Sequence, residues 1–199
     1  MTRDHLLIVA GATLAAAYLL VQWANSQVEE VTDPETGETY TPETPTFFDD
    51  LMSQTRTALG LWRAPAQYAG TIAAAESAHG IPATMLERLL WQECRYREDI
   101  ITGRTRSPVG AVGIAQFMPA TAREMGIDPL NVPQAIDGAA RYLARLYRMF
   151  GNWSEALAAY NWGMGNVQRK GLASAPRETR DYYTSILADV NAATGSTWA

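Results

Sequence analysis

One glutamate lies where a carboxylic acid can stay protonated at neutral pH. Glu93 continues an apolar stripe on a helix that is predicted to begin at Pro82, whereas Glu87 and Arg88 are predicted to face away from the stripe. Burial on an apolar face favours the neutral carboxyl and raises its pKa. Glycoside cleavage needs such a group to protonate the leaving oxygen. The same pattern also fits a buried glutamate that pairs with an arginine.

Three further motifs follow Glu93 along the chain. The stretch 107–122 is rich in glycine and proline; within it, 113–116 reads Gly-Ile-Ala-Gln and 118–122 reads Met-Pro-Ala-Thr-Ala. Residues 159–163 read Ala-Tyr-Asn-Trp-Gly, and residues 178–182 read Glu-Thr-Arg-Asp-Tyr. Together they combine tight turns with neutral side chains that form hydrogen bonds.

Taken in this order, the motifs resemble those of the lytic transglycosylases, lysozyme-like enzymes that cut the glycan strands of bacterial peptidoglycan. The resemblance covers 66–187, most of the chain after its N-terminal third. It implies a mainly α, lysozyme-like (transglycosylase) fold. It also implies non-hydrolytic cleavage of the β-1,4 bond between MurNAc and GlcNAc, with Glu93 acting first as acid and then as base to give 1,6-anhydroMurNAc ends.

The resemblance gives roles to five further residues. It implies that Gln116 binds the sugar's amide or hydroxyls and that Met118 lines the groove; the alternatives are bonding within the loop for Gln116 and core packing for Met118. It implies that Tyr160 offers an aromatic face and a hydroxyl near the acid, and that Asn161 holds the N-acetyl group. A core tyrosine and a helix-capping asparagine are the alternatives. Tyr182 is expected to orient the acid.

The chain departs from the family pattern beside the acid, where Cys94 stands in place of a serine. A thiol is a weaker hydrogen-bond donor than a hydroxyl, so the change bears on how the carboxyl is oriented. Ala115 replaces a frequent methionine, and Glu178 and Arg180 are expected to form an ion pair. No second carboxylate is predicted across the sugar from the acid, which suits single-acid chemistry.

Two other functions fit the same motifs. A goose-type lysozyme-like hydrolase would cut the same bond with water as the attacking group. A non-catalytic, structural peptidoglycan-binding protein would keep the groove without turnover, although a pure binder has no need of a buried acid.

Helix signals run through the second two thirds of the chain. Pro133 suits the first turn of a helix that Gly151 closes, Ser154 is a predicted N-cap, and a last helix is predicted from about Arg177. An amphipathic helix is predicted over 47–62, packed on the domain or lying on a membrane surface. A short hairpin is compatible with the glycines of 103–113.

The N-terminus carries an uncharged run at 6–24, close to the ~20 residues that span a bilayer as a helix. This run predicts a transmembrane anchor at 1–24, with a cleaved signal peptide or a core helix as alternatives. Residues 25–64 then form an acidic, Pro/Thr-rich tether plus the amphipathic helix, and 65–199 form the catalytic domain. The expected setting is a single-pass inner-membrane protein with a periplasmic domain, or the membrane of a phage virion. An envelope-spanning or virion complex is a possible partner.

Charge and composition limit the remaining options. The net charge of −5 comes from residues 1–64, which carry three basic and nine acidic side chains, against 13 and 12 in 65–199. No basic tract predicts binding to nucleic acid. Two histidines, His5 and His79, and one cysteine predict neither a metal site nor a cofactor.

Overall fold

The computed structural model describes residues 31–32, 39–40 and 57–199, and the chain divides into two compact units, 1–48 and 49–199. In the first unit, β1 (Val31–Thr32) pairs antiparallel with β2 (Thr39–Tyr40). This pairing lies within the segment predicted as a tether and was not predicted. The run at 6–24 lies outside the described residues; among those described, no helix is both long and apolar enough to cross a membrane.

The described part of the second unit is mainly helical, as predicted. Its helices, in chain order, are α1 (Ala66–His79), α2 (Met85–Cys94), α3 (Glu98–Ile101), α4 (Pro119–Met125), α5 (Val132–Phe150), α6 (Trp153–Trp162), α7 (Met164–Lys170) and α8 (Arg177–Thr194). In place of a hairpin over 103–113, an isolated antiparallel bridge joins Val112 to Phe117. The described part of the second unit is therefore built almost entirely from helices, with one turned loop before α4.

Helix α5 forms the centre of the packing. Asn131 caps it by accepting from the backbone N–H of Gln134, Pro133 lies in its first turn, and Gly151 ends it in the left-handed conformation. Its buried face, which includes Ile136 and Leu143, packs against α1 and α6. Helix α6 in turn packs on α8, and α8 packs on α2. This chain of contacts brings α2, α6 and α8 together around one cleft.

Two predicted helix starts are wrong. Helix α6 begins at Trp153 and not after Ser154, because Asn152 Oδ1 accepts from the backbone N–H of Glu155 at 2.8 Å. Helix α2 begins at Met85 rather than Pro82, because Thr84 has φ +70 and cannot continue a helix.

A carboxylate from α1 caps the start of α2. Glu76 is 6% exposed and accepts from the backbone N–H groups of Thr84 (3.0 Å), Leu86 (2.9 Å) and Glu87 (3.2 Å). These are N–H groups that a helix cannot satisfy within itself. Burial raises the pKa of Glu76, and the three hydrogen bonds act in the opposite direction. The position of α2 is therefore set from α1.

Arg88 lies away from the apolar stripe, as predicted, but it is buried there and not exposed to solvent. Arg88 is 2% exposed, and its Nε donates to Oδ2 of Asp189 on α8 at 2.6 Å. Helix α8 packs on α2 at this point, so Arg88 is shielded from solvent. Glu87, by contrast, lies nearer the surface and pairs with Arg63 at 2.8 Å.

Most of the helix predicted over 47–62 lies outside the described residues; in the described part the helix ends at Ala58 and not at Trp62, because Gly60 is left-handed and 59–62 form turns. Trp62 is fully buried, so this end of the segment packs on the domain. Its Nε1 donates to Thr57 Oγ1 at 3.3 Å, and that hydroxyl donates to the backbone carbonyl of Asp189 at 3.4 Å. These hydrogen bonds join the segment before α1 to α8.

Candidate active site

A cleft of about 930 Å³ contains the predicted acid and the five predicted substrate-binding residues. Helix α2 supplies Glu93, the loop before α4 supplies Gln116 and Met118, α6 supplies Tyr160 and Asn161, and α8 supplies Tyr182. Residues 89 positions apart in sequence therefore face one cavity, because α8 packs on α2.

Glu93 lies in the last turn of α2, half-buried, and Tyr182 Oη donates to its Oε1 at 2.5 Å. Burial raises the pKa of Glu93 to about 7, and the hydrogen bond from Tyr182 acts in the opposite direction. Burial and the nearby Glu93 raise the pKa of the Tyr182 phenol well above its usual value, so it remains a donor. The carboxyl is therefore poised to hold or release a proton near neutral pH, as predicted for an acid–base group.

Tyr160 packs in the core and also lines the cleft. Its ring packs against Tyr142 and Phe117, with centroids 5.6 and 6.4 Å apart, and it also lines the cleft. Its hydroxyl donates to the carbonyl of Ala115 at 3.1 Å, which ties the loop to α6. Burial, with a contribution from the charge of Glu93, raises its pKa.

The loop that carries Gln116 has a shape that requires glycine at 113. Gly113 has φ +79, and a Cβ there would lie 2.0 Å from the carbonyl oxygen of Pro129. Gln116 is itself left-handed at φ +47, and its Nε2 donates to the carbonyl of Gly113 at 2.9 Å. Its side chain therefore satisfies its own loop while facing the cleft. Met118 is 41% exposed and lines the cleft, so it is not a core residue.

Asn161 is held by a neighbour on α8. Its Oδ1 accepts from Thr179 Oγ1 at 2.8 Å, and Thr179 is 2% exposed. Because this bond occupies Oδ1, it fixes the plane of the amide at the cleft surface. A fixed amide suits recognition of a polar group such as an N-acetyl.

The thiol of Cys94 forms a hydrogen bond within its own helix. Its Sγ donates to the carbonyl of Leu90 at 3.3 Å, the residue is 1% exposed, and burial raises its pKa to about 11. The serine-to-cysteine departure therefore leaves Glu93 oriented by Tyr182.

Sequence reasoning missed several cleft residues. Trp91 and Arg95 flank the acid at two positions on either side, and Glu178 and Asp181 lie at the cleft edge on α8. The two carboxylates are exposed, and Asp181 lies 3.6 Å from Arg177. The available signal was position: Glu178 and Asp181 lie within the motif at 178–182, and Trp91 and Arg95 lie two residues from Glu93.

The expected ion pair between Glu178 and Arg180 is not what holds the arginine. Arg180 Nη1 donates to the carbonyl of Ala175 at 2.5 Å, just before α8.

In the described ranges, no three side chains of His, Cys, Asp or Glu form a cluster able to hold a metal ion.

A family model described as the transglycosylase SLT domain matches residues 70–183, which include every predicted site residue. Among curated proteins, the peptidoglycan transglycosylase gp16 of Escherichia phage T7 is 34% identical over 140 residues, 62% of this chain and 10% of that protein. The transglycosylase of Enterobacteria phage PRD1 is 34% identical over 89 residues, 44% of this chain and 31% of that protein. The membrane-bound lytic murein transglycosylase F of Idiomarina loihiensis is 37% identical over 82 residues, which are 37% of this chain and 18% of that protein. The chain thus spans a third or less of the length of these relatives.

Solved structures show the same similarity. The 70-kDa soluble lytic transglycosylase SLT70 from Escherichia coli is 29% identical, with a TM-score of 0.56, over 73% of this chain and 28% of that one. An inactive mutant of the lytic transglycosylase Slt from Pseudomonas aeruginosa is 26% identical, with a TM-score of 0.54, over 63% of this chain and 24% of that one. SLT70 has also been solved as a complex with bulgecin A.

Proposed function

Because the chain belongs to the transglycosylase SLT domain family, we propose that it cleaves the β-1,4 MurNAc–GlcNAc bond of bacterial peptidoglycan without consuming water. The observation that carries the proposal is Glu93, a carboxyl whose pKa burial raises to about 7, facing a cleft of about 930 Å³. A single acid of this kind can both give and take a proton within one turnover.

In the proposed reaction the neutral carboxyl of Glu93 donates its proton to the glycosidic oxygen, and the bond from C1 of MurNAc to that oxygen breaks. Positive charge then develops at C1, where the substrate's own acetamido group can stabilise it. The carboxylate of Glu93 removes the proton of the C6 hydroxyl, and O6 bonds to C1 to give the 1,6-anhydro ring. The proton taken up in the second step restores the acid for the next turnover.

The surrounding residues bind and orient in this scheme. Tyr182 donates to the carboxylate form of Glu93 and holds its plane. Gln116, Met118 and the aromatic Tyr160 line the cleft that would receive the glycan, and the proposal assigns the N-acetyl group to Asn161. No cofactor or metal is needed for this chemistry.

Hydrolysis of the same bond is the second candidate, because Glu178 and Asp181 give the cleft more than one carboxylate. Both are exposed on α8, and Asp181 lies beside Arg177. Such solvated carboxylates at the cleft edge resemble a surface charge pair more than a desolvated base. This arrangement favours the lyase.

The proposed setting is a membrane. We infer that residues 6–24 anchor the chain in a bilayer and that the catalytic domain acts on the far side, in the periplasm or from a virion. The uncharged run supports this, as do the relatives, of which two are phage proteins and two are called membrane-bound transglycosylases. Extraction of the full chain from membranes by detergent but not by carbonate is the expected result; release by carbonate would contradict an anchor.

The test of the activity is mass spectrometry of the fragments that the full chain releases from purified peptidoglycan. Wild type is expected to release muropeptides one water lighter than hydrolytic products, and Glu93→Gln to lose at least about 10²-fold in rate. Glu98→Gln, which removes an exposed carboxylate outside the cleft, is the matched control and keeps full activity. Reducing-end products would make the protein a lysozyme, and no release by wild type would leave a binding protein.

A further inference from the structure

A buried hydroxyl lies behind the wall of the cleft, in the first turn of α8. Thr179 is 2% exposed and does not line the cleft, but its Oγ1 donates to Oδ1 of Asn161 at 2.8 Å. Asn161 is exposed in the last turn of α6 and lines the cleft together with Glu93. Thr179 can therefore affect a ligand in the cleft through the amide of Asn161.

The direction of this hydrogen bond follows from the burial of Thr179. Among residues 57–199, the Thr179 hydroxyl has no hydrogen-bond partner besides Asn161. A hydroxyl carries one hydrogen, and leaving that hydrogen unpaired in the interior costs free energy. If the amide nitrogen of Asn161 faced Thr179, the nitrogen would donate and the hydroxyl hydrogen would have no acceptor. The buried hydroxyl therefore favours the amide orientation in which Oδ1 faces α8.

The same bond decides which atom of the Asn161 amide is left for a ligand. An asparagine amide has an acceptor oxygen and a donor nitrogen of similar size, so an amide that nothing holds can present either one. With Oδ1 occupied, Nδ2 remains, and no described residue accepts a hydrogen bond from it. Asn161 therefore offers the cleft a hydrogen-bond donor.

A donor at this position distinguishes two forms of the glycan. The carbonyl oxygen of an acetamido group accepts a hydrogen bond, whereas the ammonium of an N-deacetylated sugar can only donate. We propose that Thr179 is a positioning residue, which holds the Asn161 amide with its nitrogen available to the ligand and so makes the cleft select N-acetylated over N-deacetylated sugar. This proposal rests on the proposed function, because it names a substrate group for the same cleft.

The test measures binding, because deacetylation would also remove the acetamido group that the proposed reaction uses. The full chain carrying Glu93→Gln, the parent, is titrated with soluble glycan strands and with the same strands after N-deacetylation, and selectivity is the ratio of the two Kd values. Adding Thr179→Val replaces the hydroxyl by a methyl group and is expected to lower the selectivity about three- to tenfold, mainly by weakening the binding of acetylated strands. Glu178 and Asp181 attract the ammonium in every variant, so their effect cancels in the comparison.

Four further variants of the parent separate positioning from structure. Thr179→Ser keeps the hydroxyl and is expected to keep the selectivity, whereas Thr179→Ala lacks the donor and is expected to lose it as the valine variant does. In a chain that also carries Asn161→Ala, Thr179→Val is expected to leave the selectivity unchanged, because it acts through the amide. Thr184→Val removes an exposed hydroxyl of the same helix outside the cleft, and it is expected to bind both kinds of strand as the parent does.

Several outcomes would overturn the proposal. Equal losses of affinity for both kinds of strand would mean that Thr179 only supports the fold, and an unchanged selectivity in Thr179→Val and Thr179→Ala would exclude any role in recognition. The same loss of selectivity in the Asn161→Ala background would show that another residue carries the effect. Failure of the parent to bind acetylated strands would also contradict the proposal. The proposed function is judged separately, since its failure is the absence of Glu93-dependent anhydro products from wild type.

Discussion

Tyr182 opposes part of the effect that burial has on Glu93. Burial favours the neutral carboxyl, while the 2.5 Å hydrogen bond from Tyr182 favours the carboxylate, and the balance sets the pKa at about 7. A protein that needs one group to act as acid and then as base gains from such a balance, because neither protonation state is strongly disfavoured near neutral pH.

Tyr182→Phe removes the donor and leaves the ring. The pKa of Glu93 is then expected to rise further, so the loss of activity with rising pH, which follows deprotonation of the acid, moves to higher pH. Turnover at neutral pH is expected to fall because the carboxyl is no longer held in place. The pH profile of kcat/KM checks this, with Tyr147→Phe, which does not line the cleft, as control; an unshifted alkaline limb would contradict it.

Glu93→Gln is expected to stabilise the fold at high pH. The pKa of Glu93 is raised from 4.5 to about 7 on folding, so its contribution to stability is fully present below pH 4.5 and is lost as pH rises through 7. Glutamine carries no such pH dependence. Relative to wild type, the variant should gain about 1–3 kcal/mol above pH 7 and nothing from this source below 4.5. Chemical denaturation at pH 4, 6 and 8 measures the difference; a gain that did not grow with pH would contradict the raised pKa.

At the scale of elements, the site depends on how α2 is attached to α8. The buried pair of Arg88 and Asp189, with side chains 2% and 0% exposed, joins the two helices at 2.6 Å. Arg88 also donates to Gln92 at 2.9 Å, one residue before the acid. The same two helices carry the Glu93–Tyr182 hydrogen bond, so this bond and the buried ion pair share one helix contact.

Arg88→Met is expected to destabilise the fold by about 3–5 kcal/mol, because it leaves Asp189 buried without its cation. Arg88→Met combined with Asp189→Leu is expected to recover most of that loss. Arg63→Met, which breaks the more exposed pair with Glu87, should cost less than about 1 kcal/mol. Urea denaturation of the three variants decides; similar losses in the single and double variants would show that the charge is not the cause.

Local signals predicted some of these elements and not others. Helix α5 was predicted because its boundaries lie in its own sequence, at Pro133 and Gly151. The start of α2 was not, because its capping carboxylate, Glu76, comes from another helix. Periodicity also placed Arg88 opposite the apolar stripe correctly but could not show that α8 covers that face. The apolar stripe predicted the raised pKa of Glu93 but fitted a buried ion pair equally well, and only the resemblance pointed to Tyr182, which lies 89 residues further along the chain.

For the molecule as a whole, the segment before α1 belongs to the packing of the unit 49–199. Trp62 is fully buried, and the backbone N–H of Ala64 donates to Glu87 Oε1 at 2.8 Å on α2. Thr57 reaches the carbonyl of Asp189 on α8. This segment therefore touches both helices that form the acid's environment.

Trp62→Ala in the full chain is expected to lower the free energy of unfolding by about 3–5 kcal/mol, the usual cost of emptying a buried tryptophan site. Leu61→Ala, at a neighbouring side chain that is 57% exposed, should change it by less than about 0.5 kcal/mol. Thermal unfolding of both variants provides the comparison. If Trp62→Ala cost as little as Leu61→Ala, the segment before α1 would not stabilise the domain.

Cys94 carries the only thiol of the chain, and in the folded protein it is 1% exposed with a pKa of about 11. An alkylating reagent therefore reacts with it only in molecules whose α2 has come away from its neighbours. The alkylation rate of Cys94 therefore reports how often α2 separates from its neighbours. Mass spectrometry measures this rate without an introduced probe. A bound glycan that bridges α2 and α8 should slow this alkylation. The rate would then report the fraction of the protein that has glycan bound.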